Sequence, residues 1–185
     1  MAARGDAEVT ESGAQAPARS SSVLSHEPHS GTYRTRLESN GRIVLPSALR
    51  GPFVAEGACH LLARQGRCLL LYTPSAFDHF VDVVTKNSSV IDGESRVVAA
   101  VEIEPRAMLY RAAPRVSVDK QARLVIPQEQ RERVGFQVEA EMVLAGAIER
   151  VELWQASSYD EIDQRDQASI DLLLNGFNGL PTRET

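Results

Sequence analysis

Leu37-Glu38-Ser39-Asn40-Gly41-Arg42-Ile43-Val44-Leu45-Pro46 recurs in altered letters as Val118-Asp119-Lys120-Gln121-Ala122-Arg123-Leu124-Val125-Ile126-Pro127. In each copy an acid stands four residues before an arginine, three aliphatic residues and a proline follow, and another arginine (Arg50, Arg131) lies four residues past the proline. Every one of these landmarks is displaced by 81 residues between the copies. Such self-similarity sets the architecture before any local reading does.

The first copy reads as a tight hairpin running into a helix. Asn40-Gly41 is the dipeptide that most readily takes the two positive φ values of a type I′ turn, so strands ending near Glu38 and starting at Arg42 are expected to pair antiparallel, with Arg42 leaving an exposed tip. Ile43, Val44 and Leu45 form a short aliphatic strand. Pro46 then suits the first position of a helix running to Arg50, which Gly51-Pro52 stops. In the second copy Pro127 to Val134 makes a fuller helix, with Gly135 where a C-terminal cap belongs. Ala122 replaces Gly41, and a positive φ there costs about 1 kcal/mol, so Ala122→Gly is expected to stabilise by about 0.5–1 kcal/mol if that geometry is kept.

The repeated acid-x-x-x-Arg-aliphatic-Pro element, present twice, resembles the MraZ family of bacterial transcriptional regulators. Each copy is followed by an aliphatic-aromatic strand, Leu69-Leu70-Leu71-Tyr72 and Val151-Glu152-Leu153-Trp154, and the resemblance runs from about Gly31 to about Tyr159. It implies an α+β fold of two AbrB/MazE-like swapped-hairpin (double-split β-α-β) repeats, related by a pseudo-twofold axis and flanked by helices. It further implies a ring-shaped homo-oligomer that sets several loops against short direct repeats of double-stranded promoter DNA upstream of division and cell-wall genes, commonly repressing its own operon. The family's first loop usually has Asp where this chain has Glu38 and Lys where it has Asn40; its second loop usually has Gly where this chain has Ala122.

Charge is unevenly spread along the 185 residues. The formal net charge is −5, yet residues 30–73 carry six basic against two acidic side chains and residues 105–134 seven against three, whereas residues 135–185 carry three against ten. The two positive blocks contain the repeated loops, as expected of nucleic-acid contact, although a local excess of arginine also suits a plain solvated face. With 43% hydrophobic but only 5% aromatic residues, the core must be mainly aliphatic. No apolar run approaches the ~20 residues needed to span a bilayer, and there is no charged-then-apolar leader pattern, so a cytoplasmic protein is expected, and the family resemblance implies that it is nucleoid-associated. Cys59 and Cys68 are too few for a disulfide framework and read as small buried hydrophobes.

Five segments follow. Residues 1–30, rich in Ala, Ser, Gly, Glu and Pro, read as a disordered arm; 31–88 as the first repeat plus a helix; 89–114 as a helical connector kinked at Pro105; 115–160 as the second repeat; and 161–185 as an acidic helix and tail. Each repeat closes with a second hairpin, around Gln65-Gly66 in the first and Gly146 in the second. Thr73 caps and Pro74 opens a helix whose Phe77, Phe80, Val81 and Val84 share one face, more fitting for core than for stacking bases. Ser157 or Ser158 is the expected cap of the last helix, which carries Tyr159, Ile162, Ile170 and Leu173 and frays past Asn175-Gly176.

A catalytic reading needs a base beside a nucleophile or ligands at workable spacing. His26 and His29 lie in the arm without further ligands, only His60 and His79 remain elsewhere, and no nucleophile elbow, zinc-protease or phosphate-loop motif occurs. No enzyme activity, metal, cofactor, small-molecule substrate or membrane partner is expected. Arg42 and Arg123 are the candidate base-reading residues, because an exposed guanidinium forks onto guanine O6 and N7 or onto phosphate. Arg36, Arg115 and Lys120 are candidate phosphate contacts, with Asn40 at the loop tip. Glu38, Asp119 and Gly41 are assigned to holding the loops, the acids by pairing with the arginines or by accepting turn N–H groups. The rival reading is a protein-interaction scaffold, or an antitoxin-like module using its C-terminal helix, that keeps the fold with weakened DNA contact.

Overall fold

The computed structural model describes residues 28–64, 66–91 and 104–177. In chain order these form β1 (Thr32–Arg36), β2 (Arg42–Val44), α1 (Arg50–Glu56), β3 (Ala58–Arg64), β4 (Cys68–Tyr72), α2 (Pro74–Ile91), α3 (Pro105–Ala112), β5 (Arg115–Ser117), β6 (Arg123–Val125), α4 (Gln128–Val134), β7 (Glu141–Ala147), β8 (Arg150–Gln155) and α5 (Ala156–Phe177). The fold is mixed α+β with antiparallel sheets.

One sheet runs β1-β7-β8-β4-β3-β5, and β2 pairs separately with β6. Exchanging β1 for β5, β2 for β6, β3 for β7 and β4 for β8 returns the same order reversed. Each half therefore sends its first strand to the other: Thr35 lies opposite Met142, and Val116 opposite Cys59. The second hairpins meet at the centre, with Leu70 opposite Glu152.

Side chains alternate across a strand, and both faces of this sheet are covered. One face contributes Cys59, Leu61, Leu69, Leu71, Met142, Leu144, Val151 and Leu153 to a core completed by Leu37, Ile43, Leu124, Ile126, Phe53 and Val134 from the loops, the ribbon, α1 and α4. Both halves supply that core. On the other face Tyr72 packs with Phe77 and Val81 of α2, while Cys68, Val143 and Trp154 receive Tyr159 and Ile162 of α5. Both cysteines are fully buried, and burial pushes the Cys68 thiol up to about 12, so they serve as apolar filler.

Several local expectations change. The Asn40-Gly41 turn does not join paired strands, because β1 leaves for β7 and β2 for β6. The loop's flanks are joined by its closing bond, Glu38 N–H to Arg42 O at 2.9 Å, and by the Thr35 hydroxyl donating to Val44 O at 3.3 Å. Pro46 does not open a helix: α1 starts at Arg50 and contains Gly51-Pro52. Pro52 fits there because the N–H groups of a first turn have no intrahelical acceptor, so its missing donor costs nothing. Pro105 opens α3 rather than kinking it, while 92–103 lie outside the described residues. The β7–β8 reversal falls at Ile148-Glu149, with Ile148 at φ 62°, and not at Gly146.

Gly146 instead permits a close approach of backbone, since a Cβ there would lie 2.4 Å from Ser30 N. The strand thus lets the preceding chain cross it closely, with His29 bridged to Ile148 through the backbone, buried and stacked 5.4 Å from Phe53. The segment expected to be unstructured up to Ser30 accordingly has His29 packed into the fold; residues 1–27, including His26, lie outside the described residues.

α2 begins as expected, with Thr73 Oγ1 accepting the Ala76 N–H at 3.3 Å. α3 covers it, Leu109 against the Phe77 cluster, Arg106 bonded to Asp82 and Tyr110 to Asp78. α5 starts at Ala156, ahead of both expected serine caps, and remains helical through Asn175-Gly176. Beyond Ile162 it leaves the sheet, exposing Ile170, Leu172, Leu173 and Leu174.

Candidate nucleic-acid interface

The β2–β6 ribbon places the two motif arginines together. Arg42 lies opposite Val125, Ile43 opposite Leu124 and Val44 opposite Arg123. Ile43 and Leu124 turn inward and are buried, so Arg42, Val44, Arg123 and Val125 form the outer face. Val44 and Val125 are 42% and 47% exposed. Arg42 from one half and Asp119 and Arg123 from the other line a single groove, with Val116, Ser117, Val125 and Pro127 on its walls.

The loops that launch these strands share one backbone path. Gly41 N–H donates to Glu38 O, and Ala122 N–H to Asp119 O, each at 2.9 Å; the closing bonds run from Glu38 N–H to Arg42 O and from Asp119 N–H to Arg123 O. Gly41 has φ +80° and Ala122 φ +61°, while Asn40 is not in the positive region. The geometry is a type I turn followed by one left-handed residue, in place of the expected type I′ turn. Ala122 does hold a positive φ, and its methyl is fully buried in the core.

The fastenings differ. In the second loop Asp119 accepts the Gln121 and Arg123 backbone N–H groups at 2.9 Å on one oxygen and Arg123 Nε–H at 2.6 Å on the other. The Arg123 N–H first, then its guanidinium and the Gln121 N–H, hold the Asp119 carboxyl below the usual range. In the first loop Asn40 Oδ1 accepts the Arg42 N–H at 2.9 Å, and Glu38 only approaches the Arg42 guanidinium, at 3.8 Å. Asn40, expected as a tip contact, thus fastens the loop.

Arg36, Arg115 and Lys120 are exposed, and none pairs with a carboxylate among the described residues. Arg36 borders a separate depression with Arg34, Thr35, Glu139 and Glu141. Arg34, which sits 81 residues before Arg115, is held by Glu141 at 3.3 Å and Asp160 at 3.2 Å. The outward valines are hidden in the sequence because three consecutive aliphatics read as core; strict alternation from Arg42 would have turned Val44 outward.

Comparison with known proteins adds an independent line. A family model described as "MraZ protein, putative antitoxin-like" matches residues 109–172. A protein of Clavibacter michiganensis subsp. michiganensis called transcriptional regulator MraZ is 30% identical over 131 residues, covering 71% of this chain and 83% of that protein. The chain belongs to the MraZ family. Another member, from Kocuria rhizophila, is 30% identical over 76% of this chain and 90% of its own length, and one from Treponema denticola is 28% identical over 71% and 84%. Both are also called transcriptional regulator MraZ. Within the family model's span fall the second half of α3, the second loop, α4 and most of α5, so the copy with Ala122 in place of Gly is the one it recognises. No described helix is long and apolar enough to cross a membrane, and no described group of three or more His, Cys, Asp or Glu could hold a metal.

Proposed function

We propose that this protein is a sequence-specific DNA-binding transcriptional regulator, not an enzyme, whose reading head is the outer face of the β2–β6 ribbon. The observation that carries this is the convergence of Arg42 and Arg123, one from each half, on one exposed face of a two-stranded ribbon. A ribbon of that kind fits the major groove of B-DNA, about 12 Å wide, where arginine forks onto guanine O6 and N7. Arg36, Arg115 and Lys120 act on phosphates, and Glu38, Asp119 and Gly41 hold the loops. The exchange-symmetric strand order supports two swapped-hairpin, AbrB-like repeats at 31–88 and 115–160, joined by the connector 89–114.

The family resemblance supports a finer reading. Several copies form a ring whose loops engage short direct repeats in the promoter of the protein's own division and cell-wall operon, which it represses, placing it with the nucleoid in the cytoplasm. Gel retardation over the DNA upstream of its own gene, repeated across salt, tests this. Specific retention in excess competitor, with several phosphate contacts in the salt slope, is expected; equal affinity for random DNA would defeat it. One observation favours a second reading, an antitoxin-like protein-binding module: Leu172, Leu173 and Leu174 of α5 are 74%, 67% and 58% exposed. Retention of a protein partner in place of promoter DNA would put that reading ahead.

A further inference from the structure

The ribbon's outer face carries more than arginine. Val44 and Val125 share it, each directly across the ladder from one arginine: Val125 faces Arg42 and Val44 faces Arg123. Paired Cβ atoms on such a ladder stand about 5 Å apart, and two residues along a strand cover about 7 Å, so all four side chains span roughly two base steps of 3.4 Å. These valines are not needed by the core, which Ile43 and Leu124 fill from the opposite face at 0% and 2% exposure. They are also branched apolar groups standing open to water in a chain whose other apolar strand residues are largely covered.

In the major groove only one base offers an apolar feature, the 5-methyl of thymine, while guanine offers the two acceptors an arginine needs. A face that alternates guanidinium and isopropyl groups is complementary to guanines flanked by thymines. We infer that Val44 and Val125 are specificity-determining residues that read thymine methyl groups, each about one base step from the guanine bound by the arginine across the ladder. The assignment rests on the ribbon being the DNA-reading head. It makes the recognised element one of guanine next to thymine, presented twice in opposed senses because the exchange of halves carries Arg42 and Val44 onto Arg123 and Val125.

Deoxyuridine differs from thymidine by that methyl alone, so it isolates the contact. The probe is the segment of the protein's own promoter that it protects from nuclease, prepared with thymidine and with deoxyuridine throughout, against the native chain and the Val44→Ala/Val125→Ala variant. Burying one methyl-sized group is worth about fourfold in affinity, so the native chain should bind the thymidine duplex roughly ten- to twentyfold more tightly than the deoxyuridine duplex. The double variant should lose a similar factor on thymidine DNA and no longer distinguish the two duplexes. The exposed positions make native-like melting the expected control. Each single variant, V44A or V125A, should show about half the loss on a logarithmic scale, which keeps the test open should the double variant fold poorly. Specific binding with no preference for thymidine overturns this inference and leaves the arginine reading standing. So does a preference that survives both valine changes. Absence of any specific binding overturns both.

Discussion

The two loops follow the same backbone path with different fastenings. In the second, one carboxylate gathers the Gln121 and Arg123 N–H groups and the Arg123 Nε, so the guanidinium is ordered before any ligand arrives. In the first, Asn40 takes the backbone N–H while Glu38 stays 3.8 Å from the guanidinium, leaving the Arg42 side chain less constrained than that of Arg123. The left-handed position divides them as well: Gly41 sits under Ile126 O, whereas Ala122 projects a buried methyl into the core. A turn geometry can therefore be kept within one molecule while the chemistry that enforces it changes, and on the proposed reading what changes is how much conformational entropy each arginine would surrender to grip DNA.

The strongest way to break this comparison is at Gly41. A Cβ there would stand 3.0 Å from Ile126 O and 3.2 Å from Arg131 Nε, on a backbone at φ +80°. Gly41→Ala should cost about 2 kcal/mol in urea unfolding, combining left-handed strain with the crowding. A loss under about 0.5 kcal/mol would mean that the loop tolerates the side chain as its counterpart does.

Next comes the asymmetry of the acids. Asp119→Ala should lower the melting temperature and weaken promoter binding clearly more than Glu38→Ala, since the former frees two backbone N–H groups and an arginine and the latter almost nothing. Equal effects on both readouts would erase the distinction. Acid titration sharpens the same point. The Asp119 carboxyl titrates below its ordinary value when folded, so its contribution is fully present above the ordinary aspartate range and is lost as pH falls through the lower folded value. The Gln121 amide and Arg123 Nε–H resonances should shift in that window, while the Arg42 amide, bonded to the neutral Asn40, should hold.

Ala122→Gly should have the smallest effect, short of the gain of about 0.5–1 kcal/mol expected from the turn alone, because the methyl proves to be buried. Relief of about 1 kcal/mol of left-handed strain is offset by loss of a buried methyl worth about 0.8 kcal/mol, so stability should change by less than about 0.5 kcal/mol. Stabilisation beyond about 1 kcal/mol would show that the methyl contributes little to the core.

The strand, loop and helix units were legible in sequence wherever the signal was local: Thr73-Pro74 opening α2, Cys68 to Tyr72 pairing with the strand before it, and Gly135 closing α4 at φ +74°. Pairing across the halves was not. Asn40-Gly41 advertises a chain reversal, and the reversal occurs, but the partners of its flanks lie far along the chain, Arg36 with Glu141 and Arg42 with Val125. Nothing in a local window encodes such register; it follows from which faces must be buried once both halves are present. Pro52 misled in the opposite direction, because proline stops a helix inside it and is harmless in its first turn. For the candidate site, the repeat picked out Arg42 and Arg123, while their meeting on one ribbon face and the valines beside them required the fold.

The most direct measurement of the central claim is the affinity of the Arg42→Ala/Arg123→Ala variant for the protein's own promoter, with its fold checked by circular dichroism. Each arginine that forks onto a guanine is worth about 1–3 kcal/mol, so specific binding should fall by at least tenfold while affinity for random DNA changes little. Promoter binding that survives in a natively folded double variant would contradict the assignment of the β2–β6 ribbon as the reading head.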